Sequence, residues 1–126
     1  YGRRAVLNLG HTVGHAIEAA GKYQKYSHGQ AVGLGLLVTT RLSSEIFDLS
    51  TECYDRVKAL LKKIGLPTRI ADIDTGHVLK AISSDKKADD LSINMVLLRG
   101  IGSPVINCNV DAGALKNAVD RLAEGG

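Results

Sequence analysis

The sequence has no tryptophan, one phenylalanine, one methionine, two prolines and two cysteines among its 126 residues. With so few aromatics, any core must be built from Leu, Ile, Val and Ala. No CxxC pair exists, which excludes a thioredoxin-type redox motif and the common zinc ribbons. Cys53 and Cys108 stand far apart and are expected to be reduced, buried thiols of a cytoplasmic protein. The longest apolar run, from Ala31 to Val38, is far too short to span a bilayer, so no membrane partner is expected. No charged leader precedes an apolar stretch at the N-terminus, so no signal peptide is expected. Charge of one sign is also scarce: the formal net charge is +3. The basic residues are scattered, and their densest groups are the pairs Arg3-Arg4, Lys62-Lys63 and Lys86-Lys87. A nucleic-acid binder usually clusters them on one face, so no nucleic-acid partner is expected.

What is present fits one domain with one core. Hydrophobic residues make up 44% of the chain, ordinary for a globular protein. Residues from about Arg4 to Ala20 read as a helix, followed by a polar loop from Gly21 to Ser27. A second helix, from about Gln30 to Phe47, is apolar nearly all round and is expected to be buried. Its Gly33 and Gly35 suggest close packing against another backbone. Ser50 or Thr51 can cap a third helix whose apolar positions are Val57, Leu60, Leu61 and Ile64. Gly65 and Pro67 end it. A short helix follows from about Thr75 to Ser83.

The pattern then changes. Leu91 to Leu98 and Val105 to Val110 are short and β-prone, separated by Gly100, Gly102, Ser103 and Pro104. They predict a β-hairpin near residues 91–110. Asp111 then caps a last amphipathic helix with Leu115, Val119 and Leu122. The expected fold is mainly α with this one small hairpin. Tyr1 is not an initiator methionine and a helix starts almost at once, so the chain is expected to be a piece of a longer protein.

The first helix carries the most chemistry. Arg4, Asn8, His11 and His15 are spaced 4, 3 and 4. At 3.6 residues per turn they fall within an arc of roughly 60°. Glu18 extends the stripe, while Leu9, Val13 and Ile17 lie opposite with Val6. Gly10 and Gly14 form a smooth ridge between the two faces. A solvated face would more typically carry Lys, Glu and Gln; this one offers imidazole, amide and guanidinium. Imidazole is the commonest metal-ligating side chain and a natural proton shuttle. Two imidazoles one turn apart can share a metal or serve two roles. The Glu of a zinc-protease HExxH is missing, because Thr12 follows His11. His28, just before the second helix, can fold back toward His11 and complete part of a metal site. Catalytic zinc typically takes three protein ligands, so a third is expected elsewhere. His77 reads as incidental. Lys86 and Lys87 either complement a helix C-terminus or contact a phosphate or carboxylate.

The segment Arg4-Ala5-Val6-Leu7-Asn8-Leu9-Gly10-His11-Thr12-Val13-Gly14-His15-Ala16-Ile17-Glu18 resembles the signature helix of 3-dehydroquinate synthases. His28-Gly29-Gln30-Ala31-Val32-Gly33 resembles the HGxAVxxG segment that follows it. Asp85-Lys86-Lys87, Val96-Leu97-Leu98 and Ile101-Gly102 are similar to later landmarks, and their order holds along the whole chain. Gln30 departs from the Glu, and Leu36 from the Met, that many members carry.

The resemblance implies the C-terminal helical domain of a two-domain enzyme, spanning 1–126, without the N-terminal NAD-binding domain. It implies conversion of 3-deoxy-D-arabino-heptulosonate 7-phosphate to 3-dehydroquinate plus phosphate, a carbon–oxygen lyase step of the shikimate pathway in aromatic amino acid biosynthesis. Cofactors would be NAD, held mostly by the absent domain, and a divalent metal, zinc or cobalt. By motif position His11 and His28 would be metal ligands, with a Glu upstream of Tyr1 as the third. Arg4 and Asn8 would hold substrate, His15 would bind substrate and relay protons, and one of Lys86 and Lys87 would contact substrate. Glu18 can orient a neighbouring His. The full-length enzyme would be a cytoplasmic homodimer, and this chain alone would be inactive. Rival expectations are a related sugar-phosphate cyclase making a valiolone or scyllo-inosose, a polyol dehydrogenase of the same superfamily, and a non-catalytic helical binding module.

Overall fold

The computed structural model describes residues 11–22, 24–71, 73–83, 92–100 and 103–124. Five helices and one antiparallel hairpin are present among the described residues. In chain order they are α1 (His11–Ala20), α2 (His28–Phe47), α3 (Thr51–Lys63), α4 (Thr75–Ser83), β1 (Ser92–Gly100), β2 (Ser103–Asp111) and α5 (Ala112–Ala123). The mainly helical body with one hairpin is the architecture expected from the sequence.

Helix α2 is the axis of the molecule, with α1, α3, α5 and β1 packed against it. Ala31, Leu34, Leu37, Val38 and Leu42 are buried on it, and Gly33, Gly35, Thr39, Thr40 and Ser43 are buried among them. Burying each of its large aliphatic side chains contributes about 1.5–3 kcal/mol before the entropy cost of ordering it. Its buried hydroxyls do not interrupt the helix. Thr40 Oγ1 donates to the Leu36 carbonyl at 2.7 Å and Ser43 Oγ to the Thr39 carbonyl at 2.8 Å. Ser43 Oγ also accepts from the Leu98 amide of β1 at 2.8 Å, which fixes the hairpin onto α2.

The helix starts at His28, two residues earlier than the apolar pattern suggests. Ser27 is its N-cap, and a reciprocal capping box with Gln30 closes the first turn. Gln30 N donates to Ser27 Oγ at 3.2 Å, and Ser27 N donates to Gln30 Oε1 at 2.9 Å. His28 is therefore a helical residue rather than a loop residue.

Close backbone approach occurs at Gly14, which the sequence does not single out for it. A Cβ on Gly14 of α1 would lie 3.1 Å from Val32 Cα and 3.2 Å from the Ala31 carbonyl oxygen. A Cβ on Gly33 would meet side chains instead, chiefly Leu61 Cδ2 at 3.2 Å. Gly14 is thus the position that lets α1 lie on α2.

Ser50, not Thr51, caps α3, accepting from the Glu52 amide at 3.2 Å. Gly65, at φ +86°, follows the end of the helix, where glycine's lack of Cβ is needed. The apolar face of α3 differs from expectation. Tyr54 and Leu61 are its buried residues, whereas Leu60 and Ile64 are 59% and 62% exposed. The segment after α3 is tied down by Tyr26, whose hydroxyl accepts from the Ala71 amide at 2.9 Å, and by Arg69 Nε, which donates to the Ala123 carbonyl at 2.9 Å.

Both strands run further into the turn than predicted, β1 to Gly100 and β2 from Ser103, and β2 ends one residue later, at Asp111. The hairpin register pairs Ser92 with Asp111, Met95 with Cys108 and Gly100 with Ser103, with irregularities between Met95 and Leu97 and between Leu98 and Gly100. Met95, Leu97 and Val110 are buried. Asp111 caps α5 as the sequence predicts, and Leu115, Val119 and Leu122 are buried. Both cysteines are free, but each is half-buried rather than buried. No helix among the described residues is long and apolar enough to cross a membrane.

Candidate metal and substrate site

Helix α1 sorts its side chains as its sequence pattern demands. Val13 and Ile17 are fully buried, with Ala16 beside them. That anchors the apolar face and turns His15 outward, its side chain 65% exposed. Glu18 lies one turn further on, largely covered, with its side chain 13% exposed. The Gly14 contact places this stretch of α1 against Ala31 and Val32, in the first turns of α2. The capped start of α2 then brings His28 across from Glu18.

Three side chains converge as a result. Glu18 Oε1 is 2.8 Å from His28 Nδ1, a hydrogen bond in length. The same oxygen is 3.7 Å from His15 Nδ1. The two imidazole rings have centroids 5.7 Å apart and are inclined at 41°. One ligand atom from each of His15, Glu18 and His28 can be chosen so that all lie within 4.8 Å of one another. Two imidazoles and a carboxylate suit zinc or cobalt, whose borderline character favours nitrogen and oxygen donors. The donor set therefore fits a divalent transition metal.

The structure brings His15 and His28 together, from segments that the sequence separates by a loop. Of His11 it gives the backbone: the residue opens α1, one turn before His15. Its side chain lies outside the described residues, as do Arg4, Asn8, Lys86 and Lys87. His77 contacts Asp74 at 4.0 Å in an exposed i,i+3 pair at the start of α4, an ordinary surface arrangement. The sequence pattern marks Glu18 as able to orient a neighbouring His, and the structure puts its carboxylate 2.8 Å from His28 Nδ1. The signal that would have placed His28 on a helix was available, because Ser27-x-x-Gln30 is a capping-box pattern.

The family described as "3-dehydroquinate synthase C-terminal" matches residues 1–88. The chain belongs to the 3-dehydroquinate synthase C-terminal family. A 3-dehydroquinate synthase of Acidithiobacillus ferrooxidans is 41% identical over 125 residues, which is 99% of this chain and 34% of that protein. One from Thermoanaerobacter pseudethanolicus is 40% identical over 99 residues, 79% of this chain and 28% of that protein. This member of the family thus spans about a third of the length of the curated relatives it matches. Among solved structures, a 2-deoxy-scyllo-inosose synthase complexed with carbaglucose-6-phosphate, NAD+ and Co2+ superposes with a TM-score of 0.80 at 25% identity, covering 90% of this chain and 34% of that one.

Proposed function

We propose that this chain is the metal- and substrate-binding domain of a two-domain 3-dehydroquinate synthase, which converts 3-deoxy-D-arabino-heptulosonate 7-phosphate to 3-dehydroquinate and phosphate. The observation that carries the reading is the convergence of His15 and His28 about Glu18, within the residues that match the family. The high identity to dehydroquinate synthases over nearly the whole chain supports the substrate.

In this reading His28 and His11 hold a divalent zinc or cobalt ion, with a carboxylate supplied from outside this chain. When bound, the ion acts as a Lewis acid toward substrate oxygens. His15 stands beside the metal-ligating pair with its imidazole open to a substrate, suited to moving a proton during phosphate loss. Arg4 and Asn8 bind the substrate. One of Lys86 and Lys87 supplies a point charge to a substrate anion. NAD, held mainly by the N-terminal domain, would supply the hydride chemistry, while the protein orients the reacting carbon. This chain alone then binds NAD weakly or not at all and gives no turnover. The two free thiols accord with action in the cytoplasm.

A second reading has its own support. The solved neighbour is a sugar-phosphate cyclase that makes a different ring. The two separate in one assay. The full-length enzyme is expected to release phosphate from the heptulosonate phosphate and not from sedoheptulose 7-phosphate or glucose 6-phosphate; the reverse preference would overturn the substrate assignment.

The metal assignment has its own test. Alanine at His11 or His28 is expected to strip zinc from the purified enzyme, and alanine at His15 to leave zinc in place while abolishing turnover. Retention of zinc in H11A, with its loss in H15A, would show instead that His15, Glu18 and His28 form the ligand set.

A further inference from the structure

The Glu18–His28 pair carries more than an inventory of donors. A metal cannot lie between two atoms 2.8 Å apart and bond both at the usual length of about 2.0 Å without near-right-angle geometry, far from a tetrahedral arrangement. The distance is that of a hydrogen bond, so Nδ1 of His28 is the donor and the carboxylate the acceptor. That fixes the tautomer: with the proton on Nδ1, the lone pair sits on Nε2. It also fixes the ring plane, because Nδ1–H must point at Glu18 Oε1.

Glu18 itself is well held. It directly follows Ile17 of the buried face of α1 and is largely covered, whereas His28 is 57% exposed. An exposed imidazole at the first position of a helix has rotamer freedom to lose, and a covered carboxylate on the neighbouring helix removes it. The oxygen lies 3.7 Å from His15 Nδ1, beyond hydrogen-bond length, so the carboxylate serves His28 rather than both rings.

We infer that Glu18 is a positioning residue that acts through His28: it holds the Nδ1–H tautomer and aims Nε2 at the metal, and it is not itself a metal ligand. The inference rests on the reading of His28 as a ligand and adds a role for its partner. Carboxylates that hold a ligating histidine in this way typically raise metal affinity by about 10- to 100-fold.

The test is a double-mutant cycle on the full-length enzyme, read as the zinc dissociation constant by competition with a chelator. Glu18→Ala is expected to weaken zinc binding by about 10- to 100-fold. Glu18→Gln, whose amide oxygen still accepts from Nδ1–H, is expected to recover much of that loss. In a His28→Ala background, Glu18→Ala is expected to have no further effect, because its route to the metal is gone. Each variant is compared at matched far-ultraviolet circular dichroism, so a folding defect is recognised, and Glu18→Gln keeps the test open if Glu18→Ala does not fold. Wild-type affinity in both Glu18 variants, with loss in His28→Ala, overturns the positioning role and leaves the ligand assignment standing. Equal losses in Glu18→Ala and Glu18→Gln that add to that of His28→Ala make Glu18 a ligand and also overturn it. Unchanged affinity in His28→Ala removes the ligand assignment and this inference with it.

Discussion

A methyl group on Gly14 would stand 3.1 Å from Val32 Cα and 3.2 Å from the Ala31 carbonyl oxygen. Both neighbours are backbone, so neither can rotate away, and the two helices must separate to admit it. Alanine gains up to about 1 kcal/mol in intrinsic helix propensity over glycine. Overpacking costs about 1–3 kcal/mol, so the contact wins. Gly14→Ala is expected to lower the free energy of unfolding by about 1–2 kcal/mol in urea titrations. It should also weaken zinc binding, because the same displacement carries Glu18 away from His28. A variant as stable as the parent would mean that α1 and α2 yield there at little cost. The sequence marks Gly14 only as part of a smooth ridge, and it points to Gly33 and Gly35 for backbone contact. Composition along one helix cannot tell which partner faces a glycine; that is decided by packing between helices.

At the scale of elements, the cap on α2 connects folding to the site. Ser27 and Gln30 satisfy each other's backbone amides, and His28 lies between them, directly after the cap. Ser27→Ala removes the oxygen that accepts from Gln30 N. It is expected to cost about 1 kcal/mol in chemical denaturation. A smaller loss of zinc affinity than in His28→Ala should accompany it, since the first turn frays but the imidazole remains. Gln30→Glu is expected to be neutral to within about 0.5 kcal/mol, because either residue closes a capping box. A large loss there would show that the amide has a further task. Elements with a local signal were legible in advance. Asp111 capping α5, the Thr75–Ser83 helix and the hairpin follow from caps, turn residues and β-branched runs. The inward face of α3 was not. Val57, Leu60, Leu61 and Ile64 fit a helical repeat equally well on either side, and Leu60 and Ile64 end up largely exposed. Tyr54 and Leu61 face inward, as the placement of α3 against α2 determines.

For the molecule as a whole, the histidine stripe was legible because it lies on one helix, while its meeting with His28 depends on how α1 and α2 cross. The same logic governs a second junction, where Asp120 of α5 joins elements distant in sequence. It accepts from Lys116 Nζ at 2.8 Å and from Thr75 Oγ1 at the start of α4 at 2.8 Å. Those bonds, Lys116 first, hold its carboxyl below the ordinary value of 3.8. A carboxyl depressed in the folded state binds fewer protons there than in the unfolded chain. Its contribution to stability is therefore complete above the unfolded value and is lost as pH falls through the lower folded value. Lys116 is the mirror case, raised above 10.5 by the same partner. Its contribution is complete below that value and is lost as pH rises through the folded one. Asp120→Asn should remove both dependences. Its melting temperature is expected to lie below the parent's near neutral pH and to converge with it as the pH falls below 3.8 and through the lower folded value. The gap should also narrow at strongly alkaline pH, as the parent loses the charged lysine through its raised folded value. A gap of constant size from acid to alkali would mean that the Thr75 hydrogen bond, rather than the charges, joins α4 to α5.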